Sequence, residues 1–346
     1  MSGSTADNSG RQSGVIAAAS AGIEIVSSDP SAEHGKVWFN STTSLLKVYN
    51  YAAGAWANGG DMNTARYKGP ESAGTQTAAV SFGGDTGVAG SGNTVDECEE
   101  YDGSSWTDVA GNLLTAIISH AGCGTQTAAL SFAGYSDRYS EDTEEYDGTC
   151  WTVTGVGNLA TGVDGLAGTG TQGAGLAIGG YGSGAKQSRT EEYDGSTWSS
   201  GGALSLTVSN GPTAFGTLTA AVKAGGDTSS TNSDNNSEEY DGSSWSVGND
   251  ITTGRNNLAG FGTQTAGIAC GGNAGSSDPR NITDAYNGTT WSVDDTLTTG
   301  RWRPGGNGTM QVGMICGGDS ATNGSGKQVS TEEYTESVTA QTITDS

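Results

Sequence analysis

Tyr101-Asp102-Gly103-Ser104-Ser105-Trp106 is the stretch on which the fold turns. The pattern Tyr-Asp-Gly-x-x-Trp returns at 146–151, 193–198 and 240–245, and with Asn for Asp at 286–291. Successive tryptophans, Trp106, Trp151, Trp198, Trp245 and Trp291, lie 45, 47, 47 and 46 residues apart. A fixed period of this size marks a chain built from tandem structural units. Asp-Gly and Asn-Gly tolerate positive φ and close tight hairpins. The tyrosine before the turn (Tyr101, Tyr146, Tyr193, Tyr240, Tyr286) then faces the tryptophan after it, where an aromatic pair stabilises the ladder.

A second mark precedes each hairpin. A strand of small residues, such as Ala78–Phe82, ends in Gly83-Gly84, Gly179-Gly180, Gly225-Gly226, Gly271-Gly272 or Gly317-Gly318. Ala133-Gly134 is the sixth, with one glycine replaced. We expect glycine here because strands crowd toward an axis and side chains do not fit. A third mark, Gly-Thr-Gln-Thr-Ala, begins at Gly74, Gly124 and Gly262. Each unit thus offers four short strands, and no long helical periodicity is found. The expectation is an all-β chain.

Four strands per unit, Gly-Gly after the second, and Tyr then Trp later resemble the kelch repeat over roughly residues 45–340. That resemblance implies a β-propeller with blades of four antiparallel strands around a central channel. The wording also resembles kelch-like proteins encoded by tailed, notably marine, bacteriophages. Its markers are Ser28-Asp29-Pro30-Ser31, the Lys36–Thr43 stretch, Gly74–Ala78 and Glu-Glu-Tyr-Asp-Gly-Ser-Ser-Trp. The resemblance implies a tail-fibre or other structural protein of the virion, made in the host cytoplasm.

The ends of the array do not match. Trp56 has no Gly-Gly before it, and Glu332-Glu333-Tyr334 has no Trp after it. Trp56 precedes Arg66 by ten residues, as Trp245 precedes Arg255 and Trp291 precedes Arg301. Trp56 is therefore in register, and we expect six blades closed across the termini, which removes exposed edges. The alternative is seven blades, with Val37–Asn40, Leu46–Tyr51 and Trp56 supplying most of the extra one. We divide the chain into a flexible arm or anchor at 1–33 and a propeller at 34–346. The propeller begins with a hairpin and closing strand at 34–60, and six repeats fill 61–346.

Composition narrows the function classes. The 346 residues include 59 Gly and only 5 Pro, and 33% are hydrophobic. With 14 basic residues and a net charge of −24, the chain lacks the cations that neutralise phosphates, so nucleic acid is not an expected partner. An anionic membrane surface repels it, no run approaches a membrane span, and no signal peptide is evident. Cys98, Cys123, Cys150, Cys270 and Cys316 form no C-x-x-C pair, and they read as small strand residues.

Catalysis is not expected, nor is a metal or other cofactor. The two histidines are His34 and His120, too few for a histidine metal site. The acidic pairs at 99–100, 144–145, 191–192, 238–239 and 332–333 are read as one solvent-facing carboxylate and one structural carboxylate each. The alternative is a Ca²⁺-binding ring. Pairs repeated in nearly every unit are poor glycosidase candidates, since that chemistry needs two carboxylates at one defined separation. Binding is expected where the repeats fail, on variable loops carried by a rigid scaffold. The candidates there are Tyr135, Arg138, Tyr139, Tyr181 and Arg280, suited to stacking on or hydrogen-bonding a sugar, and the irregular Trp302 and Arg303. The resulting expectation is a non-catalytic virion protein. It attaches to a host-surface glycan or contacts neighbouring virion proteins through its N-terminal segment, and an oligomer in the particle is compatible with the resemblance. Rival readings are a purely structural decoration or spacer protein, and a polysaccharide-degrading enzyme.

Overall fold

The computed structural model describes residues 23–30, 36–51, 54–68, 70–87, 93–228, 232–275, 280–321 and 326–343. All regular structure among them is β-strand or bridge. The chain forms two compact units, one of Ala53–Glu336 and one of Met1–Ala52 with Ser337–Ser346.

The larger unit contains six four-stranded antiparallel sheets among its described residues, a propeller-like all-β architecture. Sheet 1 is Glu71–Thr75, Ala78–Phe82, Cys98–Tyr101 and Trp106–Val109. Sheets 2 to 5 repeat this order from Ala121–Thr125, Ala167–Thr171, Thr213–Thr217 and Ala259–Thr263. Sheet 6 is Gly305–Gly308, Val312–Cys316 and Thr331–Thr335, and its fourth strand is Ala55–Asn58 from the other end of the unit. The first strand of each sheet packs on the first strand of the next, and that of sheet 6 packs on that of sheet 1.

Each hairpin pairs its tyrosine with its tryptophan, Tyr101 with Trp106 through to Tyr334 with Trp56. The ring centroids lie 4.7 to 5.1 Å apart. The turn itself differs from the expected tight one. It holds four residues, and only its glycine has positive φ, 90° at Gly103. The Asp102 carboxylate accepts the backbone N–H groups of Ser104 and Ser105 at 2.9 and 2.8 Å. Hydrogen bonds from Ser104 and Ser105 hold the Asp102 carboxyl down at about 2. Asp therefore serves as a side-chain cap rather than as a residue tolerant of positive φ.

The same aromatic pair joins sheet to sheet. The Nε1–H of each of the six paired tryptophans donates to the first residue of the third strand in the preceding sheet, at 2.8 to 3.3 Å. The acceptors are Thr331, Cys98, Thr143, Thr190, Ser237 and Thr283, for Trp106, Trp151, Trp198, Trp245, Trp291 and Trp56 in turn. Every tyrosine hydroxyl donates to a carboxylate of the preceding sheet: Tyr101 to Glu333 at 2.6 Å, Tyr146 to Glu100 at 3.0 Å, and Tyr193 to Glu145 at 2.9 Å. Tyr240 bonds Glu192, Tyr286 bonds Glu239, and Tyr334 bonds Asp294. Gln76, Gln126, Gln172 and Gln264 each donate to two carbonyls of the preceding sheet. Leu218 and Met310 stand in that place in sheets 4 and 6 and pack into the apolar clusters instead.

The acidic pairs are consequently structural at both positions. The second carboxylate takes the tyrosine. The first is buried and takes an arginine or backbone N–H groups. Glu99 meets Arg66 at 3.0 Å, and Arg255–Asp284 and Arg301–Glu332 repeat that contact with all four side chains buried. Where Ile117, Val163 and Val208 replace the arginine, the compensation varies. Arg189 meets Glu191 at 3.1 Å, and the buried Lys223 lies in register with Glu238. Glu144 keeps only backbone donors such as Leu114 N–H at 2.7 Å, and burial raises its pKa. The reading of one carboxylate per pair as solvent-facing is thus corrected.

Crowding is only part of the reason for Gly-Gly. Both positions have positive φ, 66° and 100° at Gly83 and Gly84, where only glycine avoids a Cβ penalty. The second N–H then donates to the chain entering the next sheet, as Gly84 does to Ile117 O at 2.9 Å and Gly318 to Arg66 O at 3.0 Å. Ala133 adopts φ of 61° at the first position. Cys270 and Cys316 are fully buried at one strand position, and Cys150 is exposed.

The smaller unit is one mixed sheet. Glu24–Val26 runs parallel to Val37–Asn40, which pairs antiparallel with Leu45–Tyr51, which pairs antiparallel with Val338–Thr342. Asp29 accepts hydrogen bonds from Trp38, Asn40 and Lys47, and the Lys47 ammonium leads in holding its carboxyl low. Two expectations change here. Part of the expected flexible arm is a paired strand, while residues 1–22 and 31–33 lie outside the described residues. The hairpin at 37–51 belongs with the C-terminal strand, whose free backbone groups complete its ladder, and the units divide at 52/53 and 336/337 rather than at 33/34.

Two substitutions test this description. Trp56→Ala removes the ring and indole donor of the strand that completes sheet 6, and should cost about 3 kcal/mol, read as a drop in melting temperature. Ala133→Gly relieves the left-handed alanine and should raise stability by about 1 kcal/mol in the same melt.

Candidate binding face

An open cavity of about 260 Å³ lies between the first strands of the six sheets. Its mouth is formed where the connecting segments turn into those strands. A residue with left-handed φ stands at that turn in five of them: Ser119 at 51°, Gly165 at 57°, Asn210 at 52°, Asn257 at 53° and Arg303 at 56°. Backbone hydrogen bonds of 2.8 to 3.0 Å string the segments together, Gly165 to Ser119, Gly211 to Gly165, Asn257 to Asn210 and Arg303 to Asn257. Left-handed geometry suits Gly and Asn, so arginine at the last position costs backbone energy, of order 1 kcal/mol or more.

Side chains extend this ring. Arg303 Nε donates to Asn257 Oδ1 at 3.1 Å, Asn257 Nδ2 to Asn256 Oδ1 at 2.9 Å, and Asn256 Nδ2 to Asp227 Oδ1 at 2.6 Å. Asn210 Nδ2 closes the chain on Asp227 Oδ2 at 2.6 Å. The Arg303 guanidinium also lies over the Trp302 ring, 4.6 Å from its centroid, a stacking that stabilises a cation.

Three of the five loop residues singled out in the sequence come together. Tyr139 lies edge-on to Tyr135 at 5.6 Å and to Tyr181 at 5.8 Å. Tyr135 pairs through its backbone with Ile118, and Tyr181 with Asp164. Tyr139 is 36% exposed, and the hydroxyls of this cluster have no hydrogen-bond partner among the described residues. Arg138 does not join them and is held in an exposed pair with Asp142 at 3.1 Å. Arg280 sits on the loop of sheet 5, close enough to the buried Arg255 to add, after burial, to the lowering of its pKa. Of the two residues noted in sequence as irregular, Arg303 lines the cavity and Trp302 lies stacked against it.

Sequence reasoning missed the acids of the cavity. Burial raises Asp164 to about 6, against the pull of Arg303. Asp164 also leads the nearby charges that, after burial, raise the Tyr139 phenol. Glu71 is the only acid to open a first strand. Its carboxyl lines the cavity, and burial away from bulk water raises it to about 8. The Asn307 side chain is buried beside the same space, and both its amide atoms lack a partner. The signal that would have found the ring is the Asn or Gly that repeatedly stands just before a first strand. His120 is fully buried against Phe82 and neutral, its pKa pushed down to about 3 by burial. His34 lies outside the described residues. No protein-family model matches this chain, and no curated protein matches it.

Glu71 makes the pH dependence testable. Its folded pKa of about 8 lies above the ordinary glutamate value of 4.5, so the folded state holds a proton that the unfolded state releases between those values. Stability from this group is therefore full below about pH 4.5 and lost as pH rises toward 8. Glu71→Gln should leave the melting temperature unchanged near pH 4 and raise it at pH 8 by about 2 °C or more. A constant difference across that range would contradict the assignment.

Proposed function

We propose that the chain is a six-bladed, kelch-like propeller of a tailed-phage particle, and that it binds its ligand without covalent chemistry. Six repeats, a sixth sheet completed by the strand around Trp56, and first strands in contact all round support the propeller. The wording of the repeats supports a phage origin, as does that of the Lys36–Thr43 hairpin. The binding reading rests on one observation: a division of labour among side chains. The regular Trp, Tyr, Gln and acidic residues are committed to neighbouring sheets. The irregular Tyr135, Tyr139 and Tyr181 cluster beside Asp164, which lines the cavity together with Arg303, and their polar edges are unspent.

An open mouth with aromatic edges, a carboxylate, amides and a guanidinium suits a hydroxyl-rich ligand. In this reading the ligand is a host-envelope glycan, with neighbouring virion proteins held through the N-terminal segment. Weak single contacts suffice, because several copies on one particle multiply them.

Reconstruction of the particle that carries this chain tests the proposal. Propeller density at a tail tip or fibre is the expected result. Density buried between capsid and tail proteins would replace attachment with scaffolding, and absence of the chain from purified particles would end the virion reading.

A further inference from the structure

Arg303 is held unlike the other cations of the larger unit. Arg66, Arg255 and Arg301 spend their Nη groups on backbone carbonyls and a buried acid. Arg303 spends only Nε, on Asn257. Its Nη groups have no hydrogen-bond partner among the described residues, and no carboxylate lies within the 4 Å of an ion pair. Asp164 acts on it most strongly, followed by Tyr67, Asp319 and Asp227. Its plane is fixed from below by Trp302 and from the side by the amide chain that ends on Asp227.

Two further observations point to an anionic ligand. First, Asn307 offers a buried, unpartnered amide to the same cavity. Second, cations are segregated by face. Lys68, Arg138, Lys186, Arg280, Arg303 and Lys327 all lie on connections and loops at the mouth end. The turns at the other end, 76–77, 126–127, 172–173, 218–219 and 264–265, with the hairpins at 102–105, 147–150, 194–197, 241–244 and 287–290, contain no Lys or Arg. The same end also carries acids such as Asp142, Asp164, Asp227 and Asp319, so what attracts an anion there is the individual cation and not the net charge of the face.

We propose that the mouth binds an acidic sugar through its carboxylate, gripped by the two free Nη groups of Arg303. A fork-to-fork pair of this kind is the geometry in which guanidinium and carboxylate match best. Asn307 donates to the same residue from within the cavity. Asp164 accepts its ring hydroxyls, and the exposed edge of Tyr139 packs on the next sugar along the chain. This deepens the attachment reading and rests on it.

Arg303→Asn is the informative variant, because Asn210 and Asn257 already occupy this position in two other sheets with the same left-handed φ. It should fold with an unchanged or higher melting temperature. Titration calorimetry of the full chain with an oligomer of galacturonic acid is expected to show binding. Arg303→Asn should weaken it by about tenfold or more, as loss of hydrogen bonds to a charged group does. Arg138→Gln, on the same face but outside the mouth, should leave it unchanged. A neutral oligohexose and inorganic sulfate are the comparison probes, both expected to bind more weakly than the uronate. Equal binding of uronate by Arg303→Asn, or equal binding of the neutral oligosaccharide, would overturn the carboxylate grip and leave glycan attachment standing. Sulfate binding as tight as the uronate's would reduce the site to a general anion site. Failure of both oligosaccharides to bind would overturn the grip and count against the glycan reading as well.

Discussion

The structure of the larger unit depends on one arrangement: each sheet hydrogen-bonds to the preceding one through the tips of its own aromatic pair. The tryptophan reaches a hydroxyl or thiol, and the tyrosine reaches a carboxylate. Small strand residues give this chain little apolar surface per sheet, and 33% hydrophobic content leaves little in reserve. The large side chains must therefore do two things, covering the joint between sheets and satisfying polar groups buried there. The circuit runs through all six sheets, and the strand Ala55–Asn58 carries it across the chain's own start and end.

Departures from the repeat show what the circuit requires. Sheet 5 reads Asp284-Ala285 where the other sheets carry two glutamates, so Tyr334 has no carboxylate at the usual place. Asp294, just beyond that sheet's fourth strand, accepts its hydroxyl instead. Cys98 replaces the usual Thr or Ser and still accepts the Trp151 indole N–H at 3.2 Å. Val208 stands where an arginine would meet Glu238; the buried Lys223 lies opposite Glu238 on the adjacent strand but donates no hydrogen bond to it. In the first two cases the residue changes and the buried hydrogen bond is retained, as expected where an unsatisfied buried polar group costs more than the bond contributes.

These facts set how much was legible in the sequence. Strand count, hairpin positions and the register of Trp56 follow from local rules, and spacing carries them. The tyrosine partners of the second carboxylates were not legible, because those contacts join residues in different sheets, 46 to 48 positions apart for Glu100, Glu145 and Glu192 and 232 for Glu333. A periodic carboxylate looks the same in sequence whether it faces water or a tyrosine. The separate sheet of Val37–Tyr51 with Val338–Thr342 was missed for a related reason. A strand's partner is set by which free edge it meets, and alternation along one strand does not name that edge. Of the site, the tyrosines were visible as breaks in the repeat. Asp164 and Glu71 were not, since a single acid in a polar loop or at a strand start carries no pattern.

The mouth is where the economy of the repeat is set aside. At Arg66, Arg255 and Arg301 an arginine is buried against an acid, and the other left-handed turns of the ring are given to Ser119, Gly165, Asn210 and Asn257. At 303 the chain places an arginine in left-handed backbone, orients it with an indole and a relay of amides, and leaves its fork without an acid to bind. Folding alone offers no return for such a choice, because an asparagine satisfies the same turn in two other sheets at lower cost. Local strain maintained by its surroundings is the observation on which the proposed site rests. The regular circuit supplies the rigid frame that makes this strain tolerable, since a guanidinium anchored by neighbours on two sheets has little freedom left to lose when a ligand arrives.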